Sequence, residues 1–91
     1  MPRLNDKQRE LLCDLMYRAF LEIRMLGWDG RAAQAADLAD AFHNVPKGLW
    51  SDDFSLSSFR DLYLQSYERK YAAAERGKFY VKAVDAIMEA R

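Results

Sequence analysis

Three side chains able to hold a metal ion stand three apart in one stretch: Asp37, Asp40 and His43. A carboxylate followed three residues later by histidine is a spacing used in helical di-metal sites, because both groups project from one helix face. Such sites draw further ligands from facing helices. This chain has one histidine, and its other apolar stripes carry no acidic residue at a matching position. No metal centre is expected, and His43, near the negative end of its helix, reads as structural. Cys13 falls in mid-helix at the edge of an apolar face, away from the helix N-termini that activate catalytic thiols, so an inert core-edge thiol is expected. Ser51, Ser55, Ser57 and Ser58 gather where a helix starts, which suits capping better than Ser-His-Asp chemistry. Gly27 and Gly30 flank only Trp28 and Asp29, so they form no phosphate-binding loop. No catalytic residue and no cofactor site emerge, and the chain is not expected to be an enzyme.

Two surfaces have the residue types for binding. In the C-terminal third, Tyr63, Tyr67, Tyr71, Phe79 and Tyr80 interleave with Arg69, Lys70, Arg76, Lys78 and Lys82. Aromatic rings beside cations can hold single-stranded nucleic acid, which makes Arg69, Lys70, Tyr71, Arg76, Lys78 and Lys82 an alternative nucleic-acid surface. Glu68, Glu75, Asp85 and Glu89 dilute its charge. The second surface is Tyr17, Leu21 and Met25 with Trp28. These lie opposite the main apolar face of their helix, and a small domain that shows such groups outside its core usually shows them to another protein. They are the expected partner-binding residues, most simply through a two-fold pairing of the helix with its counterpart in a second copy.

Four helices must position these groups. From Asn5 to about Leu26, Leu12, Leu15, Met16, Ala19, Ile23 and Leu26 recur at helical spacing, with Asn5 and Gln8 as a capping pair and Gly27 as a stop. A turn over Gly27–Gly30 follows, with Asp29 placed to cap a helix from about Arg31 to His43. Ala32, Ala35, Ala36, Ala39 and Phe42 form the apolar stripe of that helix. Residues 44–53 read as a loop because Pro46 disfavours helical geometry at Val45 and Gly48 weakens any continuation. Leu49, Trp50 and Phe54 should make the segment, around 44–54, an apolar lid, with Trp50 largely buried. A third helix is expected from about Ser55 to Tyr71, with Leu56, Phe59, Leu62, Tyr63, Ser66 and Tyr67 on one side. After a break between Tyr71 and Lys78, a fourth runs to about Ala90, with Tyr80, Val81, Val84, Ile87 and Met88 inward.

Together these elements predict one all-helical domain over 1–91: a small four-helix bundle, in which helices 1 and 2 form an antiparallel hairpin closed by helices 3 and 4. Its 91 residues are 51% hydrophobic and 13% aromatic, ample for a core. Fourteen basic residues balance fourteen acidic ones. No long-range field therefore draws in nucleic acid or an anionic membrane, and both are disfavoured as partners. A lone cysteine, no signal-like apolar run and no membrane-length span predict a cytoplasmic protein. The run Ala35-Ala36-Asp37-Leu38-Ala39-Asp40-Ala41-Phe42-His43-Asn44, followed by Leu49-Trp50-Ser51-Asp52-Asp53-Phe54-Ser55, resembles segments of short bacterial proteins with no assigned activity. That resemblance covers about half the chain. It implies a bacterial, single-domain protein and assigns a role to no residue.

Overall fold

The computed structural model describes residues 3–71 and 79–91. Helix α1 (Asp6–Trp28) opens on a capping box: Asn5 Oδ1 accepts from the Gln8 N–H at 2.8 Å, and Gln8 Oε1 accepts from the Asn5 N–H at 3.0 Å. The same side chains reach the other end of the chain. Asn5 Nδ2 donates to the Ala90 carbonyl at 3.1 Å and Gln8 Nε2 to that of Ile87 at 3.3 Å. One motif thus satisfies orphan groups at the start of α1 and at the end of the last helix.

α1 stops one turn motif later than its sequence predicts. The Arg31 N–H donates to the Leu26 carbonyl at 2.8 Å and the Gly30 N–H to that of Gly27 at 3.2 Å, with Gly30 at φ 76°. This closure needs a left-handed residue, so Gly30 rather than Gly27 is the stop. Asp29 belongs to the end of α1, and Arg31, which precedes α2 (Ala32–Phe42), makes no side-chain cap. In α2 the buried residues are Ala35, Leu38, Ala41 and Phe42, while Ala32 and Ala36 of the expected stripe are exposed. Leucine carries far more apolar area than a methyl group, so Leu38 sets the inward face and the alanines follow.

The segment expected to be a loop contains a short helix, α3 (Val45–Ser51). Pro46 lies in its first turn, where the missing N–H has no helical partner to lose. Asp52, left-handed at φ 55°, ends it. Arg9 pins this end to α1, one guanidinium nitrogen 3.1 Å from Asp52 Oδ1 and the other donating to the Leu49 carbonyl at 2.8 Å. Gly48 lies directly beneath the Phe54 ring, which leaves no room for a side chain. The lid expectation holds for Leu49, buried, and for Phe54, packed against the core, but Trp50 is 90% exposed. Helical geometry is the reason: Val45 and Leu49, four apart, both face inward, so the next residue is turned about 100° away.

The third long helix is continuous but not uniform. α4 (Leu56–Phe59), capped by Ser55 Oγ accepting from the Ser58 N–H at 3.2 Å, runs into a π-helical turn (Arg60–Leu64) and then α5 (Gln65–Lys70). A wide turn inserts one residue and shifts the helix phase. Phe59 and Leu64, five apart, therefore share the buried face, while Leu62 is exposed and Tyr63 sits at the edge of solvent. Residues 72–78, where the break before the last helix was expected, lie outside those described. α6 (Phe79–Glu89) buries Tyr80, Val84 and Ile87 as its pattern predicts, with Val81 partly covered and Met88 at the rim.

Every described element is helical. The core is centred on Phe42, whose ring meets Phe59 edge-on at 5.1 Å and Tyr80 at 5.5 Å, joining α2, α4 and α6. Arg60 ties the π turn to α6 through Asp85 at 2.8 Å. Among the described residues no helix is long and apolar enough to cross a membrane.

Candidate functional site

α1 is apolar on two opposite sides. Leu12, Leu15, Ala19 and Leu26 are buried against the rest of the chain. At about 100° per residue, Tyr17, Leu21, Met25 and Trp28 project the other way. The structure leaves all four in solvent: Tyr17 is 65% exposed, Leu21 41%, Met25 50% and Trp28 71%. Phe20, 50% exposed, joins them. It escaped sequence reasoning, although its place three residues after Tyr17 and four before Arg24 puts it on the same ridge. The Arg24 guanidinium lies over the Trp28 ring, 4.4 Å from its centroid, a cation–π contact within one helix face. Cys13, four residues before Tyr17, is exposed at the N-terminal end of this stripe rather than held at the core edge, because Leu12 takes the inward position.

The C-terminal tyrosines are placed differently. Tyr67 and Tyr80 are buried, and Tyr71 is half-buried. Gln34 Nε2 donates to the Tyr67 hydroxyl at 3.1 Å, and the Tyr80 hydroxyl donates to Glu22 Oε2 at 2.7 Å. The Tyr71 hydroxyl donates to Asp37 Oδ2, which also pairs with Lys70 Nζ at 2.8 Å. Bonds from Lys70 and then Tyr71 hold the Asp37 carboxyl below its ordinary pKa. The same carboxylate raises those of Lys70 and Tyr71, whereas burial raises that of Tyr67. Of the alternative nucleic-acid surface, Lys70 and Tyr71 are thus engaged within the chain, Arg69 and Lys82 are exposed, and Arg76 and Lys78 lie outside the described residues.

The spacing of Asp37, Asp40 and His43 does not assemble a metal site. His43 sits just past α2, exposed, its Nδ1–H donating to the Asp40 carbonyl at 2.6 Å, with its ring edge-on to Tyr63. It satisfies a helix-end carbonyl. Among the described residues no group of three potential ligands comes together.

Two grooves flank the ridge that the π turn raises at Leu62 and Tyr63. One, about 380 Å³, runs between α3 and α4 and is lined by Asn44, Lys47, Ser51, Phe54 and Ser58. The other, about 290 Å³, is lined by Asp37, Asp40, His43, Ser66 and Lys70. The first falls at the lower end of the ordinary size range of ligand pockets and the second just below it, and Asp37 and Lys70 of the second already satisfy each other. Of the ten large hydrophobic side chains exposed among the described residues, five lie on the outer side of α1. Comparison of the chain with protein-family models, with curated proteins and with solved structures finds no match in any of the three.

Proposed function

We propose that this chain is a small protein-binding module, a regulator, adaptor or inhibitor, whose docking surface is the outer face of α1. One observation carries the reading: Tyr17, Phe20, Leu21, Met25 and Trp28 stand together on a single helix face and all remain exposed. On the order of 600 Å² of apolar surface is involved, at the upper end of what a monomer normally leaves uncovered. Aromatic and methionine side chains are also the types enriched at interface cores. The reading takes the fold as a four-helix bundle, with α1 and α2 as an antiparallel hairpin closed by residues 56–70 and α6. It places the protein in a bacterial cytoplasm, without catalysis.

The test is a photo-crosslinking residue placed at Phe20 and, as a control, at the equally bare Trp50, in bacterial cells expressing the protein. Defined protein adducts from position 20 and none from position 50 support the reading. Equal or absent adducts overturn it. Oligonucleotide binding that weakens steeply between low and moderate salt, and is lost in Arg69→Ala with Lys82→Ala, would instead favour the nucleic-acid alternative.

A further inference from the structure

Along the outer face of α1, Glu10, Asp14, Tyr17, Leu21, Arg24 and Trp28 follow one another at spacings of four, three, four, three and four. That alternation is the spacing of a coiled-coil seam, whose mean of 3.5 keeps one stripe turned towards a partner helix, and here it is apolar at Tyr17, Leu21 and Trp28. The charges next to its apolar centre differ in sign, Asp14 before Tyr17 and Arg24 after Leu21, while Glu10 pairs with Lys7 of its own helix at 3.9 Å. Among the described residues Asp14 has no ion-pair partner, and Arg24 has only the Trp28 ring.

We infer that a second copy of this chain docks on this face, with the two α1 helices antiparallel and the two-fold axis passing outside them at the level of Ala19. This inference rests on the docking surface proposed above and names its occupant. Reversal about residue 19 sets Tyr17 against Leu21 of the second copy and Leu21 against its Tyr17, an apolar centre formed twice. The next layer outward sets Asp14 against Arg24, again twice, and the outermost sets Glu10 near the Trp28 ring and its arginine. Parallel pairing would instead set Asp14 against Asp14 and Arg24 against Arg24, and like charges held face to face oppose association. Charge therefore favours a second copy in the antiparallel direction: a face with Asp14 on one side of its centre and Arg24 on the other is complementary to its own reverse. The apolar stripe with its charged rim approaches the roughly 800 Å² per partner of a standard interface.

Sedimentation equilibrium over a wide concentration range, with circular dichroism to confirm helicity, tests this. The parent should be a dimer at high concentration. Leu21→Glu should raise the dissociation constant roughly a hundredfold, since two charges enter the seam. Asp14→Arg and Arg24→Asp should each weaken pairing about tenfold, and the double swap should restore it, a rescue that only the antiparallel layer allows. Mild oxidation should give no Cys13–Cys13 dimer of the parent, because antiparallel helices hold the two Cys13 residues about 18 Å apart along the axis. A parent monomeric at high concentration overturns self-pairing, as does a double swap without rescue or a Cys13–Cys13 dimer of the parent. Self-pairing can fail in these ways while position 20 still yields adducts to another protein, and the docking surface then stands with a different occupant.

Discussion

The tyrosines of the C-terminal half and the aromatics of α1 belong to the same residue types, yet the fold treats them in opposite ways. Tyr67, Tyr71 and Tyr80 each place a hydroxyl on a polar group of a neighbouring helix: Gln34 and Asp37 from α2, Glu22 from α1. Tyr17, Phe20 and Trp28 have no described helix laid over them and stand half or more in water. A buried ring with a hydroxyl needs a partner placed for it. The tyrosine seam has such partners, whereas on the face of α1 Arg24 meets only the Trp28 ring and Asp14 makes no ion pair among the described residues.

The comparison breaks first if the seam does not carry stability. Phe42 is fully buried where the α4 and α6 aromatics meet. Phe42→Ala should cost about 3–5 kcal/mol, a large part of the stability of a domain this size, measured by urea denaturation. An ordinary unfolding midpoint in that variant would show that the core lies elsewhere. Tyr80→Phe keeps the ring and removes the donor to Glu22, so a smaller loss of about 1–2 kcal/mol is expected in the same assay.

Asp37 sharpens the comparison through pH. Its folded pKa is lowered, so its contribution is complete above the unfolded value of about 3.9 and disappears as pH falls through the lower folded value. Tyr71 and Lys70 are shifted upward, so theirs is complete below about pH 10 and disappears as pH rises through the folded values. The tie between α2 and the end of α5 therefore operates from about pH 4 to about pH 10. Asp37→Asn should lower the urea midpoint across that plateau and narrow its difference from the parent at both ends. A midpoint difference that does not change with pH would mean that the cluster contributes nothing through charge.

How much of this was legible in the sequence depended on whether a segment kept one helical phase. α1 did: its inward face, its capping box and its opposite stripe follow from spacing, although Phe20 was overlooked, Cys13 is exposed rather than at the core edge, and Gly30 rather than Gly27 is the stop. The helix at 56–70 did not, because the π turn moves the inward position from Leu62 and Tyr63 to Leu64, and a reader of three-and-four spacing cannot anticipate a step of five. In α2 the uniform size of the alanines hid the phase that Leu38 sets. Pro46 suggested a loop because a proline that breaks a helix and one that begins it look alike until the turn before it, His43–Asn44, is seen. The bonds from Tyr71 and Lys70 to Asp37 join positions more than thirty apart, and nothing local in the sequence announces them.

Trp50 carries the smallest expected effect. Its ring is 90% exposed on the outer side of α3, held there because Val45 and Leu49 occupy the inward positions. Removing an exposed side chain leaves no cavity and strands no polar group, so Trp50→Ala should change stability by no more than about 0.5 kcal/mol. The variant is also a probe, since Trp28 is then the only tryptophan left. In dilute solution Trp28 should emit at long wavelength and be readily quenched by iodide, as a ring 71% exposed must be. With rising concentration, the pairing of α1 should shift its emission to the blue and protect it from quencher. Trp50, in the matching Trp28→Ala variant, should stay accessible throughout. If both tryptophans respond alike to concentration, the face of α1 has no privileged role and the contrast with the tyrosine seam reduces to one of packing. If only Trp28 responds, the two sides of α1 serve different chains.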